Sequence, residues 1–509
     1  MLLEMAVAGA GDRIVVGSRE RGLTAAELQQ RASAAAARFG KHPIESVVLV
    51  DENSDAVPIA LFGAALAGVP FAPLNYRLPD DQLAALVERL VPAAVVAGPD
   101  AVDRLESLDG ITMIERDVLH DDRDVLHDDR DASATAAGAD VDPESVAVLL
   151  FTSGTTGVAK AAMLRHRHLV SYVIGTVEFM GASEDDAQLV AVPPYHIAGI
   201  STILTCLYGG RRIVYLPAFD PDVWVNTAAN ERVSHAMVVP TMLGRILDVI
   251  EARGTQLPSL RHLSYGGGRM PVDVVERAMT LLPAVDFVNA YGLTETSSTV
   301  AVLGPEEHRA AFRSDDATVR ARLKSVGVPL PGVEVEIRAT DGSVVAPGER
   351  GEIHVRGEQV AGEYVGRSLL TDDGWFPTND AGYFDETGFL FLDGRLDDVI
   401  VRGAENLSPG EIEDVLVAHP AVVAACVVGV PDAQWGEAVA AAVVLTDDAA
   451  VSDEQLKSWV RARLRSTKTP VHIVFRDVLP HTETGKLLRR VVRDELAGAP
   501  VSGIATQTP

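Results

Sequence analysis

Short apolar runs alternate with helix-like segments through the N-terminal half of this chain, and that alternation constrains its fold more than any other feature. "TAAELQQRASAAAARFG" opens with Thr24 and Glu27 at capping-box spacing and closes at Gly40, which predicts a helix. "SVVLV" (46–50) reads as a buried strand, followed by a helical stretch around 57–66, a helix over 80–90 and the strand "AAVVAG". The pattern resumes at "SVAVLLF" (145–151), "RRIVYL" (211–216), "HAMVVP" (235–240), "RHLSYGGG" (261–268) and "VDFVNAYG" (285–292). Strands separated by helices predict an α/β fold, with mostly parallel sheets flanked by helices.

After residue 325 the texture changes. "GVEVEIRATDG", "GEIHVRG" and "GFLFLDG" are short strands with turn signals, which predicts a β-rich subdomain. "SPGEIEDVLVAH" then places Ser408 as N-cap, Pro409 at N1 and Glu411 at N3, a helix start. The segment "DGRLDD" (393–398) lies just before this change. The expected division is therefore a large N-terminal domain, 1–396, and a small mobile α+β C-terminal domain, 397–509.

Composition narrows the function. With 509 residues, 47% of them hydrophobic, the chain is globular and has room for a large core. A formal net charge of −28 argues against a nucleic-acid partner, and any anionic substrate must be met by local positive charge. The two cysteines, Cys206 and Cys426, sit in apolar surroundings and are expected to be buried thiols in a reducing compartment. The N-terminal "MLLEMAVAGAGDR" lacks the leading positive charge of a signal peptide. The longest apolar run, "AVVAACVVGV" (421–430), is too short for a bilayer, so the expected location is the cytoplasm. "DVLHDDR" occurs in tandem at 117–123 and 124–130. Its His120, His127 and paired aspartates suggest a metal site, but a duplicated, solvated surface segment is the simpler reading.

Two glycine- and hydroxyl-rich segments end in lysine: "TSGTTGVAK" (152–160) and "TETGK" (482–486). Neither is a P-loop, which needs Gly-Lys followed by Ser or Thr. Ala159 and Ala161 flank Lys160; Leu487 follows Lys486, and Pro480 stands where the first glycine should be. The first segment can still cradle phosphate, because successive backbone N–H groups form an anion-binding concavity and Lys160 adds charge.

Read with "YGLTET" (291–296) and "GRLDD" (394–398), these segments resemble the adenylate-forming superfamily, its acyl-CoA synthetase branch in particular, over nearly the whole chain. The resemblance implies a two-step reaction: a carboxylate attacks the α-phosphate of ATP, and a thiol then displaces AMP from the acyl-adenylate. It implies ATP, Mg2+ and CoA as cofactors. Thr152, Ser153, Gly154, Thr155, Thr156, Gly157 and Lys160 would hold the departing pyrophosphate. Thr294 would contact phosphate and Glu295 would ligate magnesium, a hard cation that suits carboxylate oxygen. Gly266, Gly267 and Gly268 would pack on adenine with Asn289, Ala290, Tyr291 and Gly292. Asp380 would take the ribose hydroxyls with Arg395 nearby, and Lys486 would bridge the substrate carboxylate and the α-phosphate. Asp397 would be the hinge on which Lys486 gives way to a pantetheine tunnel formed by Arg402, Gly403, Ala404 and Glu405, with Trp435 beside it. Asn379, just before Asp380, carries no assignment.

The acyl pocket is expected around His196, Gly199, Met242 and Thr299. These segments are neutral, and no acid is present to hold a substrate ammonium, so a hydrophobic acid is expected, a fatty acid first. The resulting reading is an acyl-CoA ligase acting on a small-molecule acid. An acyl-AMP ligase loading a carrier protein is the rival enzyme, and a dead acyl-nucleotide-binding homologue the rival from another class. A second copy of the chain is allowed for as a partner, and no nucleic acid.

Overall fold

The computed structural model describes residues 1–120, 141–152, 159–403, 405–446, 449–481 and 487–497. Packing divides the chain into two compact units: Met1–Val335 with Val355–Phe376, and Glu336–His354 with Pro377–Pro509. The α/β fold is present in the form expected, with parallel-rich sheets and helices between them.

The first unit holds a nine-stranded and an eight-stranded sheet. Side-chain alternation explains why both faces of the eight-stranded sheet are dry. In the strand Ser46–Val50, Val47 and Leu49 enter one core, which also contains Leu28 and Phe39 of the helix Ala25–Phe39 and Ile203 of the helix Ile197–Gly209. Val48 and Val50 enter the opposite core, with Leu83 and Leu105 of the helices Asp80–Val87 and Pro99–Leu105. The nine-stranded sheet repeats the device. Val190 and Ile213 join the first core, whereas Leu189, Val214 and Val238 face Trp224, Leu243 and Val275 of three further helices.

The second unit centres on a five-stranded sheet. Val427, Val439 and Ala441 pack on Ile412 and Leu456 on one side; Cys426, Val428 and Ala440 pack on Val492 and Leu496 of the helix Arg489–Ala497 on the other. Strands Gly351–Arg356, Phe376–Phe384 and Leu390–Arg395 belong to a separate four-stranded sheet, where the sequence indicated a β-rich region.

Three local expectations change in detail. The capping box at Thr24 forms, with Glu27 N–H donating to its hydroxyl at 3.2 Å, but Gly40 closes that helix at φ −75°, not left-handed. The helix beginning at Asp80 stops at Val87. Ser408 precedes the helix Pro409–Val417 without capping it; its hydroxyl donates to the carbonyl of Asp393 at 3.0 Å. Cys206 and Cys426 are buried and form no disulfide. Most of the tandem repeat, His127 included, lies outside the described residues. Among the described residues no group of His, Cys, Asp and Glu could hold a metal by itself, and no helix is long and apolar enough to cross a membrane.

Candidate active site

Four adjacent strands of the nine-stranded sheet run parallel: Ala187–Val190, His235–Val238, His262–Gly266 and Asp286–Leu293. Their carboxyl ends therefore open on the same edge, where open α/β sheets bind ligands. The first three ends lead into 193–199, 240–242 and 266–268, and the last strand carries 289–292 in its carboxyl half. These carry His196, Gly199, Met242, Gly266, Gly267, Gly268, Asn289, Ala290, Tyr291 and Gly292. The antiparallel strand Ser298–Leu303 adds Thr299, in register with Gly292.

Two glycines are required by close backbone approach. A Cβ on Gly266 would lie 2.4 Å from the carbonyl oxygen of Ala290, its partner in the parallel ladder. A Cβ on Gly292 would lie 1.8 Å from the carbonyl oxygen of Ser298. Asn289 is anchored by donation to the carbonyl of Ser325 at 2.9 Å. His196 precedes the helix Ile197–Gly209, its ring 4.8 Å from that of Tyr195. Met242 is buried within the core behind the sheet.

Thr152 and Lys160 are register partners on neighbouring antiparallel strands, so the glycine-rich segment leaves and re-enters the sheet at one point. Residues 153–157 themselves lie outside the described part. Lys160 is exposed there. Arg89 adds a second cation beside it, donating to the carbonyl of Ala159 at 2.7 Å with its guanidinium 5.0 Å from the centre of the Phe151 ring. No local motif marks Arg89.

Thr294 and Glu295 form a 3-10 turn with Thr296, ended by Ser297 at φ 56° and Ser298 at φ 114°. The strand that begins at Lys160 packs against this turn. The main-chain oxygen of Glu295 accepts from Ala361 N–H at 2.8 Å and Gly362 N–H at 3.0 Å, and its carboxylate accepts from the Tyr364 hydroxyl. No local motif marks Tyr364.

In the second unit, Asp380 and Arg395 are register partners, joined at 2.8 Å. Asp380 is buried, and its N–H donates to the hydroxyl of Thr378 at 3.1 Å. Asp397 sits in the 3-10 turn Leu396–Asp398, after Gly394 at φ +112°. Its carboxylate accepts from the Asn379 amide at 2.8 Å, and Asn379 itself has φ 61°. Asp398 faces Arg489 at 3.6 Å and Arg493 at 3.8 Å. The turn is thus tied backward to the strand Phe376–Phe384 and forward to the last described helix.

Arg402 donates to the carbonyl of Thr467 at 2.6 Å, with its guanidinium 6.0 Å from the centre of the Trp435 ring. Gly403, at φ +63°, donates to the carbonyl of Trp435 at 2.7 Å, and Glu405 faces Arg465 at 3.7 Å. The Trp435 ring is half-exposed. Ala404 and Lys486 lie outside the described residues.

Residues 3–365 match the model of the AMP-binding enzyme family, and residues 411–486 that of the AMP-binding enzyme C-terminal domain. This chain is an AMP-binding enzyme of the adenylate-forming superfamily. It is 33% identical over 479 residues to a feruloyl-CoA synthase of an Amycolatopsis species, covering 92% of this chain and 93% of that one. It is 29% identical over 492 residues to an indoleacetate–CoA ligase of Aromatoleum aromaticum, with 94% of each chain covered. A fatty acid–[acyl-carrier-protein] ligase of Streptomyces coeruleorubidus is 30% identical over 471 residues, with 90% of this chain and 88% of that one covered. The structure superposes on o-succinylbenzoate CoA synthetase from Bacillus subtilis in complex with its acyl-adenylate intermediate. The TM-score is 0.81, the identity 27%, and 98% of each chain is covered. Like these relatives, this AMP-binding enzyme is an AMP-forming ligase.

Proposed function

We propose that this enzyme activates an aromatic carboxylic acid with ATP as the acyl-adenylate and transfers the acyl group to CoA, releasing pyrophosphate and AMP. The observation that supports this reading is that four parallel strands open their carboxyl ends on one edge of the sheet, next to segments that carry adenine- and acyl-pocket candidates. In the first step a carboxylate oxygen of the acid bonds to the α-phosphorus, and the bond from that phosphorus to the bridging oxygen breaks. No proton moves, so the chain's task is to offset charge. Lys160 and the backbone of the glycine-rich segment take the departing pyrophosphate, with Arg89 reinforcing the site. Thr294 contacts phosphate. Lys486 bridges the two reacting anions.

The residues at 294–295 fit a magnesium ion: Glu295 presents hard carboxylate oxygen, and among the described residues the Tyr364 hydroxyl meets one of its two oxygens and no group meets the other. The ion would neutralise phosphate charge there. Asp380, paired with Arg395, accepts the ribose hydroxyls. In the second step the CoA thiol, losing its proton, bonds to the acyl carbon as the bond to AMP breaks. Residues 397–509 turn about Asp397 to exchange Lys486 for the tunnel wall at 402–405 and Trp435.

Aromatic acids are favoured over the fatty acid suggested by the neutral pocket alone. Feruloyl-CoA synthase and indoleacetate–CoA ligase align over nearly the whole chain, and the pocket segments carry no acid. The carrier-protein ligase among the relatives supports a second reading, in which the adenylate is discharged to a carrier's pantetheine arm.

The test is pyrophosphate release with ferulate, indoleacetate, succinylbenzoate and saturated fatty acids, followed by detection of the thioester. Aromatic acids should turn over fastest and yield CoA thioester at the rate of pyrophosphate release. A fatty acid as best substrate would overturn the aromatic assignment. Adenylate that accumulates under saturating CoA and discharges only to a carrier protein would promote the second reading.

A further inference from the structure

A segment far from "TET" in sequence is wrapped around it. Gln359, 6% exposed, spends both N–H groups of its amide on the carbonyls of Thr296 at 3.0 Å and Thr299 at 2.8 Å. The N–H groups of Ala361 and Gly362 close on the carbonyl of Glu295, and the Tyr364 hydroxyl donates to its carboxylate. Tyr364 is not free to drift. Its backbone pairs with Ala162 on the strand that starts at Lys160, and the neighbouring Glu363 holds Arg165 of the same strand at 2.8 Å. One short strand therefore links the closing point of the glycine-rich segment to the Glu295 carboxylate.

We propose that Tyr364 is a positioning residue that aims the Glu295 carboxylate at its cation, with Gln359 holding the turn beneath it; this rests on Glu295 being the magnesium ligand. The turn needs such support. Ser297 and Ser298 both carry positive φ, a conformation that non-glycine residues keep only when their surroundings impose it. A glutamate on an unsupported turn would sample several rotamers. A hydroxyl donor on one carboxylate oxygen selects one of them and leaves the other oxygen for a hard cation. Such outer partners of a ligating carboxylate change metal affinity without touching the metal.

The experiment measures Mn2+ binding to the enzyme–ATP complex by electron paramagnetic resonance, which needs no turnover, in wild type, Tyr364→Phe, Glu295→Gln and the double variant. Tyr364→Phe removes one oxygen and should weaken Mn2+ binding roughly tenfold, as loss of a ligand's outer hydrogen-bond partner does. The double variant should bind no more weakly than Glu295→Gln alone. Tyr364→His, which keeps a ring donor, should recover part of the affinity, and serves as the test variant if Tyr364→Phe does not fold. Thermal melts of each variant separate lost fold from lost metal. Wild-type Mn2+ affinity in Tyr364→Phe, alongside a loss in Glu295→Gln, would overturn the proposal and leave Glu295 as ligand. So would additive losses in the double variant. Unchanged affinity in both single variants would remove Glu295 from the metal site and the proposal with it.

Discussion

Asn379 shows how a single residue can matter through its backbone. At φ 61° it occupies a region that costs a β-branched side chain dearly, and its amide meets the carboxylate of Asp397. Asn379→Val should lower stability by about 1–2 kcal/mol, the cost of left-handed geometry for an ordinary L-residue. Asn379→Gly should cost less, because glycine accepts that φ. Urea midpoints would rank the two, and equal losses would place the cost in the Asp397 contact. The cysteines make a second case. Burial pushes the Cys426 thiol up to about 12 and raises that of Cys206. Since the thiolate is the reactive form, neither should react with a maleimide in the native enzyme at pH 8. Both should react after denaturation; rapid native labelling of either would contradict the burial described.

At the scale of elements, the strand pair His262–Gly266 and Asp286–Leu293 brings backbone to backbone at the candidate adenine segment. Gly266→Ala would place its methyl 2.4 Å from the carbonyl oxygen of Ala290, an atom fixed by the ladder. The strands must part at their carboxyl ends, so ATP affinity measured by calorimetry should fall more than thermal stability does. Unchanged ATP binding would move the adenine site elsewhere. The helix His166–Thr176 makes a prediction about acid. The Nδ1 of His168 accepts from the N–H of Arg165 at 3.2 Å, and burial holds the imidazole neutral, lowering its pKa to about 4. Its folded pKa lies below the unfolded value of 6.5. The unfolded chain therefore binds more protons in between, and this contribution to stability is complete above 6.5 and lost as pH falls toward 4. His168→Asn keeps an acceptor and cannot titrate. Its melting temperature should fall less between pH 7 and pH 4 than that of wild type.

At the scale of the whole molecule, the proposed reaction calls for residues 397–509 to turn about Asp397 between its two steps. Asp397→Pro fixes φ near −65° and stiffens the pivot. Adenylation, followed as pyrophosphate release in a single turnover, should survive, while CoA thioester formation should fail. Normal overall turnover would sink the hinge assignment. Lys486→Ala should do the reverse, slowing adenylation by orders of magnitude while sparing CoA attack on supplied acyl-adenylate, since the charge it removes acts in the first transition state. Equal losses in both half-reactions would count against delivery of the lysine by a moving domain.

The sequence by itself determined the main strands of the parallel sheets, several helices and the α/β class, because each depends on residues only a few positions apart. Glu295, Asp380 and Asp397 stand out for another reason: their motifs resemble those of a family. Only the tertiary structure decided what holds these groups. Tyr364 reaches Glu295 and Gln359 reaches Thr299 across 69 and 60 residues of chain, and Arg89 reaches Ala159 across 70. Neither periodicity nor spacing encodes such pairings. Ser408 makes the same point from the other side: its sequence fits an N-cap, yet a carbonyl brought in from Asp393 takes its hydroxyl. A hydrogen bond forms with whichever partner the packed chain presents, and local pattern names only the nearest candidates.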